Sequence, residues 1–187
     1  EASDRGDHAL LVAATGAGKT LAGFLPTLAA FTPSRLNGAK PPDGLHTIYV
    51  SPLKALAQDV ARNLLAPIED MDLPIQAETR SGDTSSDRKR RQREKPPHVL
   101  LTTPESLSLL LSYPESFEMF GGCQRIVIDE IHAFATGKRG DLLALCLARL
   151  QQIAPDMQRA ALSATVANQE GFRAWLAPWG DIDTVTV

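Results

Sequence analysis

Ala9-Leu10-Leu11-Val12-Ala13-Ala14-Thr15-Gly16-Ala17-Gly18-Lys19-Thr20 joins a short apolar run to a glycine-bearing turn, and a helix-forming segment continues from Lys19 to about Ala30. The apolar run reads as a buried parallel strand. A glycine-rich turn between a strand and a helix aims backbone N–H groups inward, and the positive end of the helix dipole favours an anion there. Such a P-loop cradles phosphate oxygens with Thr15, Gly16, Ala17 and Gly18. Lys19 then reaches the β- and γ-phosphates and the Thr20 hydroxyl ligates Mg²⁺, so ATP and Mg²⁺ are the expected cofactors. Ala13 stands where the strict pattern has its first glycine. A surface turn that happens to read Gly-Ala-Gly-Lys-Thr is the bland alternative, and the strand before it and the helix after it weigh against that.

Outward from this stretch, strand and helix patterns alternate. Leu45–Val50, Ile75–Thr79, Val99–Thr102, Arg125–Asp129, Ala160–Ser163 and Thr184–Val187 read as strands. Ser51-Pro52 and Thr103-Pro104 are helix starts, with proline at the first helical position. Leu53, Leu56, Ala57, Val60, Ala61, Leu64 and Leu65 keep a 3.6-residue period, which predicts a helix packed on a sheet. Thr84–Lys95 is a charged helix or loop, a helix runs from about Asp141 to Ile153, and another passes through Phe172, Trp175 and Leu176. The fold class is therefore α/β: a P-loop domain with a mainly parallel sheet and helices on both faces. Ligands in such folds bind at the carboxyl ends of the strands.

The chain has 187 residues, 43% hydrophobic and 22% charged, which suits one globular domain with a sizeable core. Its net charge of −3 excludes a basic field over the whole molecule, so a nucleic-acid site has to be a local patch. Cys123 and Cys146 sit in apolar surroundings and read as core thiols, which suits a reducing cytoplasm. No apolar run approaches a membrane span. A start almost directly on a core strand suggests a fragment of something longer.

Two further stretches carry chemistry. Asp129-Glu130-Ile131-His132 follows the apolar Ile126-Val127-Ile128. An acid at the end of a buried strand, in a chain with a P-loop, positions Mg²⁺; Asp129 would do so through water. Glu130 is then placed to orient and deprotonate an attacking water, and His132 to sense the γ-phosphate side. Ser163-Ala164-Thr165 ends a later strand, where the Ser163 and Thr165 hydroxyls would bond the Asp129–His132 segment and couple nucleotide state to movement. Hydroxyls at strand ends are common turn formers, so the weight here comes from order along the chain.

The ordered set Ala13–Thr20, Ser51-Pro52-Leu53-Lys54-Ala55-Leu56, Thr102-Thr103-Pro104-Glu105-Ser106-Leu107, Asp129–His132 and Ser163–Thr165 resembles the superfamily 2 DExH-box helicases, over about Leu10–Val166. Arg80–Thr84, Pro96–Leu107 and Lys138-Arg139-Gly140-Asp141 are similar to the large helicase-related family of bacterial and archaeal enzymes, and the run from Lys138 to Leu145 to its branch associated with a DNA ligase and a repair exonuclease. The resemblance implies the first RecA-like domain of an ATP-driven motor. That motor translocates 3′ to 5′ on single-stranded DNA, unwinds duplexes or RNA–DNA hybrids and serves DNA repair. It implies that Ser51, Pro52 and Lys54, with Thr102, Thr103, Pro104 and Glu105, and with Arg80 and Gly82, contact the nucleic-acid backbone. It also implies partners: a second RecA-like domain carrying the arginine finger, accessory domains, and possible association with the ligase and exonuclease. Without that second domain, hydrolysis is expected to be weak. An RNA-directed DExH helicase, a restriction-type translocase and a nucleotide-gated clamp without unwinding remain alternatives. A small-molecule kinase has no use for the Ser51 and Thr102 stretches. The basic run Arg88–Lys95 reads equally as a guide for nucleic acid or as a solvated helix face. Lys138-Arg139 would contact DNA or a partner domain. Trp175 and Trp179 read as closing the core rather than stacking on bases.

Overall fold

Extended runs satisfy their backbone groups by pairing with one another, and among the described residues seven do so: β1 (His8–Val12), β2 (Thr47–Val50), β3 (Ala77–Arg80), β4 (Val99–Thr102), β5 (Arg125–Ile128), β6 (Gln158–Ser163) and β7 (Ile182–Thr186). The order across the sheet is β3-β4-β2-β5-β6-β1-β7, and each pairing is parallel. The computed structural model describes residues 8–14, 18–33, 37–38, 40–134, 137–164, 169–178 and 182–186, with backbone only at 54, 56, 58, 62, 185 and 186. Thr15, Gly16, Ala17, Thr165, Trp179 and the Lys54 side chain, all singled out above, lie outside the described residues.

The helices are α1 (Lys19–Ala30), α2 (Lys54–Asp70), α3 (Ser86–Glu94), α4 (Pro104–Leu111), α5 (Ser116–Phe120), α6 (Lys138–Ile153) and α7 (Gln169–Leu176), with a 3₁₀ turn at Ile131–Phe134. Strand alternation divides the core between the two faces of the sheet. Ile48, Val50, Leu100, Ile126 and Ile128 face a layer built by Leu107 and Leu110 of α4, Phe120 of α5, Leu143 and Leu147 of α6 and Phe172 of α7. Tyr49, Leu101, Val127 and Leu162 face Phe24 and Leu28 of α1 and Val60 and Leu64 of α2. Trp175 packs, partly buried, against the first layer. Both cysteines are buried and free.

The periodicity overstates the buried side of α2: Leu53 is 56% and Leu65 is 39% exposed, and Leu109 of α4 is also exposed. Helix α6 begins three residues earlier than the predicted Asp141, because its first turn carries Gly140 against the 3₁₀ turn. The charged segment is a helix, capped by Ser85 accepting from Arg88 N. Two of its cations engage the edge strand, Arg88 Nε 3.0 Å and Arg91 Nη2 2.8 Å from Glu78 of β3, and the Lys89 ammonium donates to Gly82 O at 2.7 Å. Arg93 lies over the Tyr113 ring at 4.3 Å. This helix covers an edge that would otherwise expose unpaired strand groups.

Candidate nucleotide site and adjoining cleft

β6 lies between β1 and β5, with Val12 opposite Ser163 and Ile128 opposite Ala161. The residues that follow β1 and β5 therefore flank the end of β6. Ala13 N donates to Ser163 O at 3.1 Å, which extends the pairing into the turn. Gly18 caps α1 with φ 73°, a left-handed conformation that glycine adopts without strain, and a Cβ there would meet nothing within 4 Å. Lys19 is buried and turns back on its own loop, donating to Ala13 O at 2.7 Å and Ala14 O at 2.9 Å.

On the far side of β6, Asp129 N donates to Val50 O at 2.8 Å, and the buried Asp129 carboxylate accepts from Glu130 N at 3.0 Å. Burial pushes the Asp129 carboxyl above its usual range, against the opposing pull of its hydrogen bonds and of Lys19. Glu130 has φ 48°, a left-handed conformation costly for a side chain with a Cβ and common where function holds it. Its Oε2 is buried without a hydrogen bond and lies 3.3 Å from His132 Nδ1. The same nitrogen lies 3.5 Å from Ser163 Oγ. Glu130, His132 and Ser163 thus form one polar chain across the strand ends.

The donor chemistry of this site suits magnesium and a nucleotide. A hydroxyl at Thr20 and a carboxylate at Asp129 are hard oxygen ligands of the kind Mg²⁺ takes. Lys19 spends its donors on loop carbonyls that an incoming phosphate can replace, and the Glu130 Oε2 atom has bonding capacity left.

The stretches expected to meet nucleic acid come together at the ends of β2, β3 and β4. They line one shallow cleft of about 480 Å³ with Pro52, Leu53, Gly82, Thr103, Glu105 and Arg139 among its walls. Ser51, Arg80 and Thr102 are buried beneath it. Ser51 Oγ donates to Leu53 O at 3.1 Å, Thr102 Oγ1 to Arg80 O at 3.0 Å, and Arg80 Nη1 to Lys89 O at 2.8 Å. These three side chains hold the loops rather than face the cleft. Pro104, also buried, opens α4. Arg139 Nε donates to Glu105 Oε1 at 2.5 Å; burial works against ionisation of Glu105, yet this guanidinium holds its carboxyl below the usual range. The sequence did not single out Leu53 or Leu109 as cleft residues: Leu53 fits the helical apolar period, and Leu109 stands in the apolar helix opened by Pro104. It also missed Tyr49, whose only signal was one phenol in the aliphatic run Thr47–Val50.

Comparison with known proteins gives a consistent result. The DEAD/DEAH box helicase family matches over residues 1–172. The ATP-dependent helicase Lhr-Core of Methanothermobacter thermautotrophicus is 43% identical over 87% of this chain and 20% of its own length. The Lhr helicase/uracil glycosylase of Escherichia coli is 38% identical over 92% of this chain and 12% of its own. Among solved structures, the Mycobacterium smegmatis helicase Lhr bound to ssDNA and AMP-PNP superposes with a TM-score of 0.87 at 40% identity, over 100% of this chain and 24% of that one. The chain thus spans a quarter or less of the length of these relatives.

Proposed function

The chain belongs to the DEAD/DEAH box helicase family, as a domain similar to Lhr-Core, and on that premise we propose that it is the first RecA-like domain of an ATP-driven motor acting on single-stranded DNA. The observation that carries this is the gathering of Lys19, Asp129, Glu130, His132 and Ser163 around the end of β6, beside a separate cleft lined by three loops.

Lys19 leaves the Ala13 and Ala14 carbonyls and pairs with the β- and γ-phosphate oxygens, while the N–H groups of the Thr15–Gly18 turn hold the phosphates. Thr20 and Asp129 would hold Mg²⁺. Bound Mg²⁺ neutralises charge developing on the phosphate oxygens. Glu130 orients the attacking water and accepts its proton. His132 and Ser163, with Thr165 beyond, carry the nucleotide state from β5 to β6. Pro52, Lys54, Gly82, Thr103, Glu105 and Arg139 follow the polymer backbone, in loops held by Ser51, Arg80, Thr102 and Pro104. A second RecA-like domain of the full-length protein supplies the arginine that completes the site, so this domain alone hydrolyses slowly. The M. smegmatis helicase Lhr was solved with ssDNA, which favours that polymer here over RNA. Movement 3′ to 5′, RNA–DNA hybrids as substrates, a cytoplasmic repair role and association with a ligase and an exonuclease complete the proposal.

Glu130→Gln in the full-length protein tests it. Nucleotide binding is retained, and both hydrolysis and strand displacement are lost. Nucleotide-dependent DNA binding with no strand displacement by the unaltered protein identifies a nucleotide-gated clamp instead, and hydrolysis by Glu130→Gln at the unaltered rate removes Glu130 as the base.

A further inference from the structure

Tyr49 lies in β2 with its side chain fully buried. Its ring stacks on Phe24 of α1, centroids 4.9 Å apart and planes 17° apart. Its hydroxyl faces the Asp129 carboxyl and the Thr20 hydroxyl, within their influence but in no hydrogen bond of sound geometry among the described residues. A buried hydroxyl in that state destabilises the fold. Phenylalanine would fill the same space and stack on Phe24 without that cost. Nothing in the packing of β2 asks for the oxygen, so the groups it faces are the reason to look further.

Those two groups are the ones assigned above to Mg²⁺, and the inference rests on that assignment. We propose that Tyr49 is a positioning residue for the magnesium site, its phenolic O–H donating to the Asp129 carboxylate and fixing the orientation in which that carboxylate meets the ion. The strand that carries Tyr49 is already tied to Asp129, since Asp129 N donates to Val50 O at 2.8 Å. The Asp129 carboxylate accepts one bond from Glu130 N, and a carboxylate has several acceptor positions. Phe24, held on α1 one turn beyond Thr20, fixes the phenol ring from the other side. Groups behind a metal ligand set its orientation, and their loss weakens metal affinity by ~10–100-fold.

The test is Tyr49→Phe in the full-length protein, read by equilibrium binding of a fluorescent ATP analogue during a Mg²⁺ titration, with unaltered protein and Lys19→Ala alongside. Thermal melting is measured on the same samples. The expected result is a Mg²⁺ half-saturation raised about tenfold, with metal-free nucleotide affinity maintained and a melting temperature that holds or rises. A Mg²⁺ half-saturation within twofold of the unaltered protein overturns the proposal. So does an equal loss of metal-free and metal-dependent affinity, which would assign Tyr49 to packing alone. If the unaltered protein binds the analogue with no dependence on Mg²⁺ or Lys19, the nucleotide site itself is wrong and the inference falls with it.

Discussion

Gly140, in the first turn of α6, packs against the 3₁₀ turn of the catalytic segment, and replacing it with alanine has a worked consequence. A Cβ at this position would stand 2.0 Å from Phe134 O, at the end of the 3₁₀ turn that carries His132. Ordinary carbon–oxygen contacts run at ~3.3–3.6 Å, so that carbonyl or the helix has to retreat by more than ~1 Å. Alanine gains ~1 kcal/mol of helix propensity over glycine, whereas overpacking of this kind costs ~1–3 kcal/mol and occasionally more. The contact is backbone and cannot swing aside, so the upper part of the range applies and a net loss of ~2 kcal/mol is expected. For a chain of this size that is a melting temperature lower by ~4–8 °C. A displacement of ~1 Å near reacting groups costs on the order of 100-fold in rate. Thermal melting and DNA-stimulated ATP hydrolysis of Gly140→Ala in the full-length protein read both. Gly23→Ala is the graded control: its Cβ would meet Val127 Cγ1 at 3.2 Å and Leu162 methyls at 3.3 Å, contacts a few tenths of an ångström too close rather than more than an ångström, so its melting temperature shifts far less. Gly122→Ala, with nothing within 4 Å, is expected to be within ~0.5 kcal/mol of the unaltered protein. A Gly140→Ala protein that melts and turns over normally would refute the steric link between α6 and the His132 turn.

His46 is buried beside Phe31 and Arg125, and burial first, then Arg125, holds its pKa at about 4 against 6.5 in the unfolded chain. The unfolded state therefore takes up the proton first as pH falls. Stability is full above pH 6.5 and declines toward pH 4, by ~3 kcal/mol in total. Urea midpoints between pH 7 and 5 should drop, and His46→Gln should flatten that slope. Arg139→Ala is expected to weaken single-stranded DNA binding by a similar factor for all sequences and to lower the salt slope by ~0.7. Its melting temperature should hold, because the Arg139–Glu105 pair is roughly half exposed and contributes little to stability. Arg80→Met should instead lower the melting temperature, since the buried guanidinium bonds Lys89 O and Gln92, and weakened DNA binding without any loss of stability would contradict that role.

Strands β1, β2, β4 and β5 were legible as short apolar runs, whereas the polar β3 (Ala77–Arg80) and β7 (Ile182–Thr186) were read with their bounds shifted by one to two residues, and the order of the motifs then set the layout. Asp129 and Lys19 were legible for the same reason: each follows a strand end, which is where a parallel sheet exposes its ligands. Side-chain direction was not. Ser51, Arg80 and Thr102 share loops with residues that line the cleft, but each turns inward to a backbone carbonyl, a choice that depends on neighbouring strands far away in sequence. Helix α5 has five residues and no side-chain cap, too little for a periodic signal. The start of α6 was hidden by Gly140, which lowers helix propensity locally and is required by the close approach of Phe134 O. Periodicity also overrated Leu53 and Leu65, because the helix spacing that buries one face does not say where a neighbouring layer stops.

The most direct test of the motor reading is the ATP hydrolysis rate of the full-length protein with no polymer, with single-stranded DNA and with RNA of the same sequence, each repeated with Lys19→Ala. Strong stimulation by the DNA, lost in the Lys19 variant, is the predicted result. Stimulation by RNA alone, or by neither polymer, would contradict a DNA-dependent motor and the role given to the cleft between Pro52, Gly82 and Thr103.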